Sequence, residues 1–301
     1  MTALPRAGVL AALWIPTDSQ GRLDRMALAA HLNWLRTTGV VGVLALGSTG
    51  EFPRFSVAQR KTLLAAIAEL AAPLPVLANI SDLNHRHAIE LGQFARELGL
   101  PGVTLMPPHF YPLSAADQLA YFLAVADEVQ LPTLLYNFPE LTGNRIAVET
   151  IEAFAQRAPM AGIKHSGREF DYLPTLVDLG RRHDFVVFSG ADTRLPEVAA
   201  VGAAGCIGGM VNFVPELMVE IFTSCQEGRA SDTVDAVRAL VEIGQDLDEL
   251  TFPLNVAAGM QGRGLKWGET KTVVSADSWA RFDRIVTTLR QRYDAAGLAA
   301  V

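Results

Sequence analysis

The sequence has 301 residues, of which 50% are hydrophobic and 19% are charged. Charged residues make up about 25% of an average globular chain, so this composition favours a large buried core. The formal net charge is −7 and the basic residues form no runs, which argues against nucleic acids and anionic membrane surfaces as partners.

Short apolar runs recur along the chain, and helical patterns separate them. Helix starts are indicated by Asp24, Ser56 and Ser114, each of which precedes an amphipathic stretch. Eight strands that alternate with helices predict parallel βαβ units, and closing eight of them gives a (β/α)8 barrel. The predicted strands are residues 8–14, 40–46, 75–80, 102–107, 133–137, 161–165, 185–190 and 205–210.

The part of the chain after the eighth strand shows only helical patterns, at residues 215–226, 230–249 and 277–296. We therefore predict an α/β fold in which residues 1–212 form a TIM barrel with the active site and residues 213–301 form a C-terminal helical extension. A doubly wound open sheet is the alternative, but the first strand is not followed by a G-x-G-x-x-G turn.

Lys164 is the most informative single residue, because it lies inside the apolar run AGIKH at residues 161–165. Strands this apolar are normally buried on both faces, where an ammonium group is costly. A buried amine is favoured in its neutral form, which can attack a ketone or aldehyde and form an imine. The alternative is a lysine at a strand end that reaches solvent or pairs with a carboxylate such as Asp192.

Polar residues at other predicted strand ends should meet Lys164, since the carboxyl ends of barrel strands build the active site. Ser48 and Thr49 lie between glycines after strand 2, where hydroxyls and backbone N–H groups could hold a carboxylate. The same turn could simply cap the next helix. Tyr136 ends strand 5, where a tyrosine could also serve only in packing.

Three motifs in this order and spacing, GSTGE at 47–51, YNFPELTG at 136–143 and GIKHSG at 162–167, resemble the dihydrodipicolinate synthase/N-acetylneuraminate lyase family of Schiff-base aldolases. The resemblance implies that Lys164 forms the imine and that Tyr136 relays protons and helps to bind the pyruvyl unit. It also implies that Ser48 and Thr49 contact the pyruvate carboxylate, with Ser48 passing a proton toward Tyr136. A phenol within hydrogen-bond reach of the imine is suited to that role.

The resemblance also implies a set of substrate-binding positions and identifies two departures. Dihydrodipicolinate synthases have an arginine where this chain has Leu141, which cannot bind a second carboxylate in bidentate fashion. Asp192 could bind a polyol tail, as the matching aspartate does in the lyases, but the glutamate that follows there is Thr193 here. The substrate-binding positions carried over are Gly47, Thr49, Leu141, Ser166, Gly190, Asp192 and Ile207.

The family usually has a second tyrosine after strand 4, which enters the site of a neighbouring subunit. The position that aligns best here is His109, and Tyr111 lies two residues on. Either the relay ends in an imidazole or the loop presents Tyr111 instead. The family tends to form tetramers of two tight dimers, so the resemblance implies a homo-oligomer, a dimer or a homotetramer.

The function implied is a pyruvate-dependent class I aldolase or lyase that needs no cofactor and no metal. A 2-keto-3-deoxy sugar acid or an N-acetylneuraminate-like 2-oxo acid is the expected substrate, with pyruvate and an aldehyde as products. Three alternatives stay open: 4-hydroxy-tetrahydrodipicolinate synthase, a Schiff-base deoxy-sugar-acid dehydratase, and a protein that binds a 2-oxo acid without turnover.

Other candidate sites carry less weight. His85 and His87 could suggest a metal, but alternate residues on a helix point apart, and a solvated helix start explains them better. The glycines between Gly202 and Gly209 could bind phosphate, although close helix–strand packing explains them equally well. Two cysteines are too few for a disulfide framework, which favours a cytoplasmic location. Pro16 interrupts the apolar N-terminal stretch, so we expect no signal peptide.

Overall fold

The computed structural model describes residues 3–301. Eight parallel strands close into a barrel in chain order, and β1 pairs with both β2 and β8. The strands are β1 (Gly8–Ala12), β2 (Gly42–Ala45), β3 (Val76–Asn79), β4 (Gly102–Leu105), β5 (Thr133–Asn137), β6 (Met160–His165), β7 (Val186–Ser189) and β8 (Gly205–Gly208). The predicted TIM barrel is confirmed.

Each strand overlaps one of the predicted apolar runs, and most strands end before the run does. The trailing residues of the runs, such as Leu46 and Met106, begin the loops at the carboxyl end of the barrel. Leu46 and Met106 are buried although they lie outside the strands. The apolar pattern thus extends from the strands into the loops that can build a site.

Helices follow the strands, and several begin at the capping residues that the sequence indicates. The Asp24 side chain accepts from the backbone of Ala27, and Ser56 forms a capping box with Gln59. The helices are α1 (Arg25–Leu35), α2 (Val57–Ala71), α3 (His85–Glu97), α4 (Ala115–Val129), α5 (Pro139–Thr142), α6 (Val148–Ala155), α7 (Leu173–His183), α8 (Leu195–Ala200), α9 (Pro215–Gln226), α10 (Val234–Leu247), α11 (Leu254–Gly262) and α12 (Ala276–Ala295).

The core has two layers, as the two-residue alternation of strands requires. Inward-facing side chains, among them Leu44, Leu134 and Phe188, fill the barrel interior. Outward-facing side chains pack with the helices in a second, larger cluster. On β5 and β6 the alternation places Tyr136 and Lys164 on the inner side and their successors, Asn137 and His165, on the outer side.

The C-terminal part differs from its prediction in two places. The helix predicted over 230–249 begins at Val234, because Ala230–Thr233 forms a 3-10 turn, and α11 was not predicted at all. The α11 segment alternates small and apolar residues without a polar face, so its sequence shows no helical period. The boundary at residue 212 stays a prediction. Within residues 3–301, no helix is both long and apolar enough to cross a membrane.

Candidate active site

Lys164 lies near the carboxyl end of β6 and is 4% exposed. Its Nζ atom is 4.4 Å from the centre of the Tyr136 ring. No carboxylate among residues 3–301 lies within ion-pair distance of this amine. The alternative in which Lys164 reaches solvent or pairs with Asp192 therefore does not describe the structure, and the amine faces an enclosed space beside a phenol.

Tyr136 is the register partner of Lys164 on the neighbouring strand β5 and is 1% exposed. Its hydroxyl lies 2.8 Å from Ser48 Oγ, and either group can donate this hydrogen bond. The ring of Phe138 stacks on the Tyr136 ring, with 6.2 Å between centroids. The structure thus brings together an amine, a phenol and a hydroxyl from β6, β5 and the loop after β2.

The loop after β2 is held by its own backbone. Glu51 adopts a left-handed conformation (φ 57°, ψ 40°), and its N–H donates to the carbonyl of Ser48 at 3.0 Å. This turn places the Thr49 side chain, which is 4% exposed, on the wall of the cavity in front of Lys164. Gly47 is buried but does not line that cavity, so it shapes the turn and lies outside the wall.

Asp192 lies beside the end of β8 and its carboxylate is already hydrogen-bonded. The N–H of Met210 donates to Oδ2 at 2.8 Å, and the Cys206 thiol donates to Oδ1 at 3.3 Å. Burial raises the pKa of Asp192, although the Met210 N–H favours the charged carboxylate. A Cβ atom on Gly208 would overlap Oδ1, so this approach of carboxylate to strand requires glycine.

The cavity in front of Lys164 has a volume of about 190 Å³, and we call it the Lys164 cavity. Seven further predicted residues line it, and Gly190 allows the Ser166 hydroxyl to approach because a Cβ atom there would overlap Oγ. The predicted residues on this wall are Ser48, Thr49, Tyr136, Ser166, Gly190, Asp192 and Ile207. Most of the predicted set therefore converges on one space.

A second cavity of about 400 Å³, the outer cavity, adjoins the first, and Ser48 and Phe252 line both. Leu141 lies on the wall of the outer cavity and is 47% exposed. Like Gly47, Leu141 does not line the Lys164 cavity, whereas the other predicted substrate-binding residues do. Phe213 lines the Lys164 cavity and is fully buried there.

His109 and Tyr111 are separated by the structure. His109 lines the outer cavity, and its ring packs edge-on against Phe52 with 6.3 Å between centroids. Burial lowers the pKa of His109, which favours the neutral imidazole. Tyr111 lines neither cavity and is 66% exposed beside Phe110, which is 78% exposed. Within one chain, the imidazole is therefore the group that adjoins the site.

Sequence reasoning missed a buried ion pair behind the loop after β2. Lys271 Nζ lies 2.8 Å from Glu51 Oε2, and the two side chains are 4% and 6% exposed. The ammonium also lies 4.3 Å from the centre of the Trp14 ring, and burial lowers the pKa of Lys271. Arg54 forms a second ion pair with Glu51 at 2.8 Å. A lone lysine in a polar segment gave no signal for this role.

The C-terminal segment also contributes to the Lys164 cavity itself. Asn255 and Val256 of α11 line the cavity together with Phe252. These residues were missed because α11 has no helical period in the sequence. The loop before α11 thus closes one side of a site that the barrel strands begin.

The profile described as "Dihydrodipicolinate synthetase family" matches residues 5–278. The putative 2-dehydro-3-deoxy-D-gluconate aldolase YagE of Escherichia coli is 32% identical over 231 residues, which cover 75% of this chain and 76% of YagE. A 4-hydroxy-tetrahydrodipicolinate synthase of Methanococcoides burtonii is 30% identical over 267 residues, covering 88% of this chain and 90% of the relative.

Solved structures show the same similarity. The crystal structure of Escherichia coli YagE in complex with pyruvate has a TM-score of 0.88 and 27% identity, covering 95% of this chain and 98% of YagE. A 2-keto-3-deoxygluconate aldolase of Sulfolobus has a TM-score of 0.87 at 19% identity, over 98% of this chain, and shows the shared fold.

Proposed function

The chain belongs to the dihydrodipicolinate synthetase family, and from this premise we propose that it is a class I aldolase, a carbon–carbon lyase that forms an imine between Lys164 and a 2-oxo acid. The observation that carries the proposal is the buried amine of Lys164, unpaired by carboxylate and beside the Tyr136 phenol. A lysine amine that lies beside a phenol able to exchange protons can attack a ketone and form an imine.

The reaction begins when the Lys164 amine attacks the C2 ketone of a 2-keto-3-deoxy acid. Tyr136 donates a proton to the hydroxyl of the resulting carbinolamine, the hydroxyl leaves as water, and an iminium forms. Removal of the proton from the C4 hydroxyl breaks the C3–C4 bond, and the electron pair moves into the iminium to give an enamine and a free aldehyde. Protonation of C3 and hydrolysis by water then release pyruvate and restore the amine.

Each neighbouring group has a role in this sequence. Tyr136 moves protons at the imine and at the C4 oxygen, and its hydrogen bond to Ser48 Oγ at 2.8 Å orients the phenol. Ser48 and Thr49 bind the carboxylate of the pyruvyl unit. Ser166, Gly190 and Asp192 line the same cavity, and we assign them to the hydroxyls of the sugar-acid fragment.

Leu141 supports a sugar acid over a second amino acid substrate. Its side chain offers no charge to a distal carboxylate, and the family's arginine at this position is absent from the sequence. The proposed substrates are therefore 2-keto-3-deoxy sugar acids with an uncharged distal end. We further propose cytoplasmic location and assembly into a dimer or tetramer, in which His109 would lie near the neighbouring subunit's site.

The test is reductive trapping followed by product analysis. Incubation with pyruvate and cyanoborohydride should add to the intact protein the mass of pyruvate minus water plus two hydrogens, on Lys164 alone. Lys164→Ala should show no adduct. Release of pyruvate and an aldehyde from a panel of 2-keto-3-deoxy sugar acids would support cleavage, whereas an oxo acid lacking one water would indicate dehydration. An adduct on another amine, or none, would refute the proposal.

A further inference from the structure

Asn137 and His165 are buried polar residues that immediately follow the two proposed catalytic residues Tyr136 and Lys164. They are register partners on β5 and β6, and they are 0% and 3% exposed. Because side chains alternate along a strand, both lie on the outer side of the barrel, away from the Lys164 cavity. The proposed reaction gives neither residue a part.

Hydrogen bonds fix the orientation of the Asn137 amide. The N–H of Ile146 donates to Asn137 Oδ1 at 3.0 Å, so this atom must be the oxygen. The Asn137 Nδ2 group therefore faces His165 Nδ1, at 3.1 Å, and donates to it. A ring nitrogen that accepts a hydrogen bond carries no proton.

The other ring nitrogen of His165 must carry the proton. His165 Nε2 lies 2.8 Å from the carbonyl oxygen of Glu169, which can only accept. The heavy atoms alone thus assign the neutral Nε2–H tautomer, without reference to any hydrogen position. We call the set formed by Asn137, the Ile146 N–H, His165 and the Glu169 carbonyl the His165 clip.

The clip joins the loops that follow β5 and β6 to the strand ends that carry Tyr136 and Lys164. The Ser166 N–H donates to the Asn137 carbonyl at 2.9 Å, and the Gly190 N–H donates to the His165 carbonyl at 2.8 Å. Ser166 and Gly190 both line the Lys164 cavity. A displacement of Asn137 or His165 would therefore move, through one main-chain hydrogen bond, a residue that lines the cavity.

The groups around the imidazole do not supply a replacement partner for a second proton. The charged groups that face it are Glu169, Arg145 and Glu140, and the Glu169 carboxylate is paired with Arg145 at 2.7 Å. The Tyr172 ring packs edge-on against the imidazole at 5.5 Å. The Arg168 N–H donates to Glu140 at 2.6 Å. Burial lowers the pKa of His165, with the Glu169 carbonyl opposing this effect.

We infer that Asn137 and His165 are positioning residues for the imine site, and that the His165 clip holds Tyr136 and Lys164 in register only while His165 is the neutral Nε2–H tautomer. A proton added at Nδ1 would face the Asn137 N–H donor and open the clip. This inference rests on the proposed function. It gives the enzyme an acid limit set by a group outside the cavity.

Two variants test the inference from opposite directions. His165→Asn places an amide oxygen near the position of Nδ1, so it keeps an acceptor for Asn137 and removes the titration. Asn137→Asp keeps an acceptor for the Ile146 N–H and adds a second carboxylate oxygen, which favours a proton on Nδ1 and an imidazolium. His165→Gln, whose amide reaches the position of Nε2 instead, is the control that lacks the Nδ1 acceptor.

The rate of cyanoborohydride trapping with pyruvate should be measured from about pH 4 to pH 8, because burial lowers the pKa of His165. Each variant's rate is divided by the wild-type rate at the same pH to cancel the pH effects that the two proteins share. The His165→Asn ratio should rise as the pH falls, approaching tenfold per pH unit below the pKa of His165. Asn137→Asp should show a higher ratio in acid than at neutral pH. The trapping rate of His165→Gln should be low throughout.

A direct measurement on the unaltered protein accompanies these rates. Nitrogen-15 NMR of histidine-labelled protein should show one residue, identified by its loss in His165→Asn, as the neutral Nε2–H tautomer at pH 7. The Nδ1–H tautomer would overturn the inference, and so would ratios for His165→Asn and Asn137→Asp that do not change with pH. If no form traps pyruvate at any pH, the proposed function fails, while the tautomer still decides whether the clip exists.

Discussion

The ion pair between Lys271 and Glu51 predicts a measurable loss of stability when the ammonium is removed. In Lys271→Met an unbranched apolar side chain replaces the lysine beside Trp14. The Glu51 carboxylate, in a side chain that is 6% exposed, then loses its buried partner. Removing one member of a buried ion pair costs about 3–5 kcal/mol. Arg54 stays 2.8 Å from Glu51 and is 41% exposed, so we expect partial compensation and a loss of about 2–3 kcal/mol.

Thermal unfolding gives this loss as a shift in midpoint. The unfolding entropy is about 2.1 cal/mol/K per residue, or about 0.6 kcal/mol/K for this chain, so the midpoint should fall by about 3–5 °C. Lys61→Met is the matched control, because Lys61 pairs with Glu90 at 2.7 Å with side chains 31% and 50% exposed. That exposed pair should contribute less than about 1 kcal/mol.

A double variant separates the ion pair from other effects of the substitution. Glu51→Gln combined with Lys271→Met removes both charges, and it should recover part of the stability that Lys271→Met loses. The Michaelis constant for the 2-oxo acid should rise in Lys271→Met, because Glu51 holds the turn that presents Ser48 and Thr49. A midpoint shift no larger than that of Lys61→Met would refute the reasoning.

Three further predictions follow from individual contacts. Tyr136→Phe should retain some imine trapping but slow turnover by about 10²-fold or more. Ser48→Ala removes the hydrogen-bond partner of the phenol and one proposed contact to the carboxylate but keeps the phenol, so it should slow turnover less; stopped-flow and steady-state rates compare the two. Gly190→Ala should lower pyruvate trapping, because the new Cβ would overlap Ser166 Oγ; an unchanged trapping rate would contradict the close approach. Burial lowers the pKa of His31 to about 4. The stability that neutral His31 contributes is therefore present above about pH 6.5 and is lost as the pH falls toward 4. In urea unfolding, the free energy of unfolding of His31→Gln should change by about 3 kcal/mol less over this pH range than that of the unaltered protein.

The barrel could be predicted because its strands are apolar on both faces and stand out from the helices between them. That the predicted residues would lie close together could be expected because strand ends in such a barrel meet at one rim, as Tyr136, Lys164 and Ser166 do, while their roles stay predictions. The family resemblance placed Leu141 among the substrate-binding residues, and it lines the outer cavity. Its position depends on the path of α5, which no strand fixes.

Contacts between distant segments could not be predicted from one sequence. Glu51 and Lys271 are 220 residues apart, and neither residue type nor spacing indicates that they meet. The tautomer of His165 depends on an amide orientation that is set by the backbone of Ile146. His109 and Tyr111 are both compatible with the sequence, and only the fold of their loop distinguishes the cavity-lining imidazole from the exposed phenol.

The pairing of Tyr136 with Lys164 across adjacent strands has a consequence for protein engineering. The separation of the two side chains is set by main-chain hydrogen bonds of the sheet, whereas Leu141 and Phe252 stand on separate connecting segments at the rim. Randomising those rim positions should therefore alter which aldehydes are accepted and leave carbon–carbon bond formation intact. The scaffold thus divides into a constant part and a part open to directed evolution.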